Sequence, residues 1–258
     1  MNPKKQKLID EANDTLELCK KLPKEFNIYE SVCYKQPADE IDISDMPANG
    51  KHKITIKNAD CLSIANRLPD TCILNFASAY HPGGGFLTGA QAQEESICRR
   101  SSLYLSIKDN EMYDINNKDK SKYYTDTMIY SPNVYVIKNE GLRTFMNPIK
   151  YSVITAPAVN INKIGFLDKT VANEVKTVMT NRIRKLIKIA IINGQRNIVL
   201  GAWGCGVFGN HPRNIAQYFY DVLVNEEYEN YFDNIFFAIY KSNSALKCFH
   251  EVFKNKND

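Results

Sequence analysis

NFASAYHPGGGFLTGAQAQEESICRRSSLY, residues 75–104, is the stretch from which the rest of the chain can be read. It continues an apolar, β-prone run, Ile73-Leu74-Asn75-Phe76-Ala77-Ser78, bounded by Pro82 and three consecutive glycines, so it reads as a buried strand ending in a loop. Gly83-Gly84-Gly85 has no Cβ atoms, which leaves the backbone free to take positive φ and to press its N–H groups against a ligand. Gln93-Glu94-Glu95 then opens a segment whose apolar positions, Ile97, Leu103, Tyr104 and Ile107, fall mostly at helical spacing. Strand, glycine loop and helix in succession present backbone donors to a phosphate. Here two adjacent carboxylates follow the loop.

Carboxylates beside an anion site repel the anion unless one of them has chemistry to perform. A carboxylic acid next to a bound diphosphate is raised in pKa by the like charge, as a proton donor to a leaving oxygen requires. The N-terminal end of a helix acts in the opposite sense.

A second informative stretch is NIVLGAWGCGVFGNHP, residues 197–212. Its buried strand, Ile198-Val199-Leu200, runs into Gly201, Gly204, Gly206 and Gly209, and Pro212 starts a helix carrying Ile215, Ala216, Phe219, Val222 and Leu223. Gly204-Cys205-Gly206-Val207-Phe208-Gly209 satisfies GxGxxG formally, but too few residues follow for the remaining strands of a dinucleotide-binding domain. The acidic residues about twenty positions on, Glu226 and Glu227, also end a helix, not a strand. The better reading is a second anion loop facing the first, so that two glycine loops close on one diphosphate. Cys205 as a thiol nucleophile is disfavoured, because no histidine or basic residue is placed beside it by the sequence.

Elsewhere, residues 4–22 place Leu8, Ala12, Leu16, Cys19 and Leu22 at helical intervals, an amphipathic helix with no functional reading of its own. Residues 23–50 read as extended connection. Lys53–Lys57 alternates as a strand, and Asp60 stands where it can cap a helix through Leu68. Residues 109–126, rich in Asp, Asn and Lys, read as a mobile surface loop. Strands are expected at 130–137, 151–156 and 235–240, a long helix from near Thr170 to a cap at Gly194, and a last helix capped by Asn243.

The 258 residues are 44% hydrophobic, enough for a sizeable core, and show no linker or repeat. The net charge of +4 is compatible with a polyanionic substrate but is not the profile of a dedicated nucleic-acid binder. Seven scattered cysteines without a CxxC pair argue against a disulfide framework and for a reducing, cytoplasmic setting. The charged N-terminus is unlike a signal peptide, and no stretch approaches the ~18 apolar residues of a membrane span. Four isolated histidines make metal ligation unexpected, and no cofactor is implied.

Triple glycine, seven residues, then Gln93-Glu94-Glu95 resembles the GGG…QEE signature of poly(ADP-ribose) glycohydrolases, and the flanks NFASA and CRRSSLY resemble the microbial-type branch. The resemblance runs from about residue 50 to the C-terminal helix. It implies an α/β fold, a macrodomain-like mixed sheet flanked by helices on both faces. An N-terminal helical extension (residues 1–50) would pack on a catalytic domain (51–258). The implied reaction cleaves the ribose–ribose glycosidic bonds of ADP-ribose polymers, with Glu95 as the acid and Glu94, Asn75 and Gln93 around the distal ribose. Phe208, in a pattern similar to the macrodomain phosphate loop, would pack against the terminal ribose. Asp60 would contact the adenine amino group or serve as a helix cap, and Tyr240 would stack on adenine.

The implied partner is an ADP-ribose polymer or an ADP-ribosylated macromolecule, with no membrane, no direct nucleic-acid binding and a monomeric state. Two further readings stay open: a mono-ADP-ribosyl hydrolase, whose chemistry at the ribose is similar, and a non-catalytic ADP-ribose-binding module. The paired glutamates disfavour the latter. A nucleotide-dependent kinase or ATPase lacks the GK[ST] of a P-loop and is discarded.

Overall fold

The computed structural model describes residues 2–65, 67–165 and 167–254. In chain order the elements are α1 (Pro3–Lys20), β1 (Val32–Tyr34), β2 (Lys53–Lys57), α2 (Cys61–Ile64), β3 (Thr71–Phe76), α3 (Gln93–Arg100), α4 (Leu103–Ile107) and α5 (Met112–Lys118). They continue with β4 (Met128–Lys138), β5 (Thr144–Ala156), α6 (Ile161–Ile164), α7 (Lys169–Ile192), β6 (Asn197–Leu200), α8 (Pro212–Tyr220), β7 (Asn234–Ala238) and α9 (Asn243–Phe253). The strands form one seven-stranded mixed sheet in the order β1-β4-β5-β3-β6-β7-β2. This is the mixed α/β architecture expected from the sequence. By contact the chain divides into two compact units, residues 2–34, 75–119 and 127–157 in the first and 35–74, 120–126 and 158–254 in the second.

In the first unit β4 pairs antiparallel with β1 (Val32 opposite Tyr130) and with β5 (Ile129 opposite Thr155). The β4–β5 register slips between Ser131 and Val134, where Pro132 has no N–H to give the ladder. α1 turns Ala12, Thr15 and Cys19 inward. Lys138 of β4, only 1% exposed, is neutralised by Asp14 at 2.6 Å and Glu11 at 3.1 Å on the same helix. Phe26 stacks on Tyr135 at 4.0 Å beside the Cys19, Ile28, Leu105 and Ile137 cluster.

Two expectations fail in this unit. Residues 23–50, taken as extended connection, include the edge strand β1, whose three residues are too short to show alternation. The 109–126 stretch, taken as a mobile surface loop, contains α5 with Met112, Tyr113 and Asn116 buried. A short helix with a buried inner side is masked there by its polar outer face.

In the second unit β2, β3, β6 and β7 run parallel, with Lys53 and Asn197 opposite Asn234 and Thr71 opposite Asn197. β6 is buried at every position, as a parallel strand covered on both faces must be. α2 is shorter than its pattern, ending at Ile64 ahead of Pro69. α7 starts at its Asp168 cap, whose carboxylate accepts from Val171 N–H at 2.8 Å, and Gly194 beyond its end takes φ +69°. The cap of α9 is Ser242, one residue ahead of the expected Asn243. Arg182 of α7, fully buried, donates to Asp126 at 2.6 Å and to the carbonyls of Tyr123 and Tyr124.

Candidate active site

The first glycine loop and both glutamates lie in the first unit. β3 ends at Phe76, and Ala77 N–H ties the chain to Ala156 O at 3.2 Å. Ser78 then makes a tight turn, its hydroxyl accepting from the N–H groups of Tyr80 and His81 at 3.2 and 3.1 Å. Gly84 follows at φ +58°, a left-handed conformation that glycine adopts without cost. The loop turns through Phe86–Thr88 into α3, with Gln93, Glu94 and Glu95 in its first turn.

Each of these three side chains is fixed. Gln93 Oε1 accepts from Phe76 N–H at 2.8 Å. Glu94 Oε1 accepts from Asn75 Nδ2 at 3.1 Å, and its Oε2 accepts from Ser78 N–H at 2.8 Å. Glu95 Oε1 accepts from Gly85 N–H at 2.9 Å, and its Oε2 accepts from Ala92 N–H at 2.8 Å. The Glu95–Ala92 bond is the side-chain half of a capping box; an alanine cannot supply the other half. Asn75, fully buried, also donates to Thr155 Oγ1 at 3.2 Å, while its own Oδ1 has no hydrogen-bond partner among the described residues.

Burial pushes Glu94 up to about 8, and the neighbouring Glu95 charge adds to this. The amides of Ser78 and Gly83 and the Asn75 carboxamide act the other way. Glu94 therefore holds its proton at neutral pH.

The triple glycine lies directly against the two carboxylates. Its N–H groups are engaged inside the protein, Gly83 with Glu94, Gly84 with His81 O at 3.0 Å and Gly85 with Glu95. A Cβ on Gly84 would stand 2.5 Å from Glu95 Oε1 and 3.0 Å from Glu94 Oε2. Here the absent side chains make room for the carboxylates.

The second glycine loop lies in the second unit and is built the opposite way. Its carbonyl side is tied down: Val207 O accepts from Asn162 Nδ2 at 2.8 Å, Phe208 O from Ile161 N–H at 2.8 Å, and Gly204 O from Asn210 Nδ2 at 3.1 Å. Among the described residues the N–H groups of Gly206, Val207 and Phe208 have no acceptor, and Val207 is 78% exposed. Three successive unpaired donors on an exposed loop suit an anion. A Cβ on Gly209, at φ +74°, would meet Asn162 Oδ1 at 2.6 Å, so this brace requires glycine. Burial pushes the Cys205 thiol up to about 12, which removes it as a nucleophile at neutral pH.

Asp60 caps α2, accepting from Leu62 and Ser63 N–H at 3.1 and 3.2 Å. Tyr240, just beyond β7, is half-exposed with Lys241 Nζ 4.5 Å from its ring centre. Sequence reading missed Ser78, Arg99, Asn162 and Asn210. Only Arg99 carried a signal, its i,i+4 spacing from Glu95. Among the described residues no group of three or more His, Cys, Asp or Glu side chains could hold a metal, and no helix is long and apolar enough to cross a membrane.

The family model "Microbial-type PARG, catalytic domain" matches residues 4–139. Among solved structures, the poly(ADP-ribose) glycohydrolase of Thermomonospora curvata is 28% identical with a TM-score of 0.87, over 96% of this chain and 100% of that one. The Deinococcus radiodurans glycohydrolase in complex with ADP-ribose is 30% identical with a TM-score of 0.83, over 91% and 99%. The Thermomonospora enzyme bound to the inhibitor ADP-HPD is 28% identical with a TM-score of 0.82, over 95% and 99%. No curated protein matches the sequence.

Proposed function

The chain belongs to the microbial-type poly(ADP-ribose) glycohydrolases and is a glycosidase acting on poly(ADP-ribose), and from this we propose that Glu95 is its acid and base. The observation that carries the assignment is the grip on the Glu95 carboxylate, one oxygen held by Gly85 N–H and the other by Ala92 N–H. A group so held has its direction fixed by the backbone.

In the proposed reaction Glu95 gives its proton to the glycosidic oxygen as the C–O bond to the anomeric carbon breaks, through an oxocarbenium-like transition state. Water adds to the anomeric carbon and returns a proton to Glu95. Ordinary glycosidases divide these roles between carboxylates ~5–10 Å apart. Adjacent residues on one helical turn cannot flank a bond in that way, so one glutamate serves twice. Glu94, neutral at pH 7, orients the ribose hydroxyls together with Asn75 and Gln93.

The diphosphate is assigned to the loop Gly204–Gly209, supported by its three unpaired N–H groups. Phe208 would lie against the terminal ribose, Asp60 would meet the adenine amino group, and Tyr240 would stack on the base. Cytoplasmic placement is part of the same reading, supported by seven cysteines of which none is in a disulfide.

The test is incubation with defined ADP-ribose polymer and, in parallel, with mono-ADP-ribosylated protein and nucleic acid, followed by identification of the product. Release of ADP-ribose from polymer is expected. Release only from the mono-modified substrates would assign the chemistry to a mono-ADP-ribosyl hydrolase.

A further inference from the structure

A buried arginine stands beside the candidate acid and takes no part in the chemistry just described. Arg99 is on α3, one turn beyond Glu95, and is 3% exposed. Burying a cation is costly unless it is paired or fully hydrogen-bonded. Among the described residues Arg99 has no carboxylate within ion-pair distance. Its guanidinium donates instead to two backbone carbonyls, to Phe86 O at 3.5 Å and to Ala90 O.

Those carbonyls belong to one short loop. Gly85, at its start, and Ala92, at its end, supply the two N–H groups that hold the Glu95 carboxylate. Between them the chain closes on itself, with the N–H groups of Thr88 and Ala90 both bonded to Gly85 O at 3.0 Å. The rigid fork of a guanidinium can span two carbonyls four residues apart, which an ammonium on a flexible stem does less well.

The other side of the loop rests on α1. At Gly89, φ +78°, a Cβ would stand 2.8 Å from Lys5 O, and the Thr15 hydroxyl donates to Arg99 O at 2.6 Å.

We infer that Arg99 is a positioning residue for the acid: through Phe86 O and Ala90 O it sets the shape of the Gly85–Ala92 loop, and so the direction in which the Glu95 carboxyl points. The inference rests on Glu95 being the acid. It adds that the N-terminal helix, by bracing the same loop, is part of the catalytic scaffold.

The experiment uses the full chain with Arg99→Met, Arg99→Lys and Gly89→Ala, the last disturbing the loop without touching the guanidinium. Polymer hydrolysis gives kcat and KM, and calorimetry gives the ADP-ribose Kd. Arg99→Met is expected to lose kcat on the order of a hundredfold, the scale set by a small misplacement of a catalytic group, with KM and Kd unchanged. Arg99→Lys should recover part of that loss, and Gly89→Ala should lower kcat in the same selective way.

Wild-type kcat in Arg99→Met, or a loss matched by an equal weakening of ADP-ribose binding, would overturn the inference. If Arg99→Met does not fold, Gly89→Ala decides: wild-type kcat there overturns it. Glu95→Gln in the same assay separates the two levels. An active Glu95→Gln removes the acid assignment itself, whereas an inactive Glu95→Gln beside a fully active Arg99→Met removes only the role of Arg99.

Discussion

The α-carbon of Gly84 lies against the carboxylate of Glu95, so closely that a methyl group there would stand 2.5 Å from Oε1. The residue also sits at φ +58°, where an L side chain costs about 1–2 kcal/mol. Gly84→Ala is therefore expected to lower stability by about that amount in denaturant unfolding and to reduce polymer hydrolysis further by displacing Glu95. Hydrolysis unchanged in a folded Gly84→Ala protein would show that the loop tolerates a side chain where two carboxylates converge.

Glu94 makes stability depend on pH in a defined direction. Its folded value, about 8, is above the ordinary carboxylate value of 4.5, chiefly because it is buried. Between these values the folded state binds more protons than the unfolded state. Its contribution is then fully present below pH ~4.5 and is lost as pH rises through about 8. Glu94→Gln, an isostere of the neutral acid, is expected to flatten that part of the profile and to retain more hydrolysis than Glu95→Gln. Urea unfolding from pH 5 to 9 checks the first point; an equal slope in both proteins would contradict it.

How much of this was legible in the sequence depends on whether the information is local. The strand, glycine loop and acidic helix start at 73–95 could be read because each carries its own signal. β1 could not, being only three residues long, nor could α5, whose outer face is polar. What lies against the triple glycine was hidden for a similar reason. Absent Cβ atoms show that something approaches the backbone, and only tertiary structure reveals that it is Glu94 and Glu95. Asn162 braces a loop distant in sequence, from a position that no spacing rule connects to it. Arg99 was the exception, one helical turn from Glu95.

The second loop yields a prediction about backbone donors alone. Val207 N–H has no acceptor among the described residues and its side chain is exposed, so Val207→Pro removes a donor while costing the fold no hydrogen bond. The ADP-ribose Kd is expected to rise about tenfold, the loss of a charge-assisted hydrogen bond, with little change in melting temperature. An unchanged Kd by calorimetry would remove this loop from the diphosphate.

Lys138 is buried, whereas its partners Glu11 and Asp14 are part-exposed. Removing both acids strands a cation, so Glu11→Gln with Asp14→Asn is expected to cost about 3–5 kcal/mol. Lys138→Met, which leaves only solvated carboxylates, should cost much less. Chemical denaturation of the two proteins gives the comparison, and the reverse order would contradict this view of how α1 is anchored.

The central claim is tested most directly by polymer hydrolysis in Glu95→Gln, with ADP-ribose binding measured on the same preparation. The expected result is a rate lower by roughly a hundred- to ten-thousandfold, the usual worth of a general acid and base, with the ADP-ribose Kd retained. Cleavage at the wild-type rate would mean that the proton comes from another group.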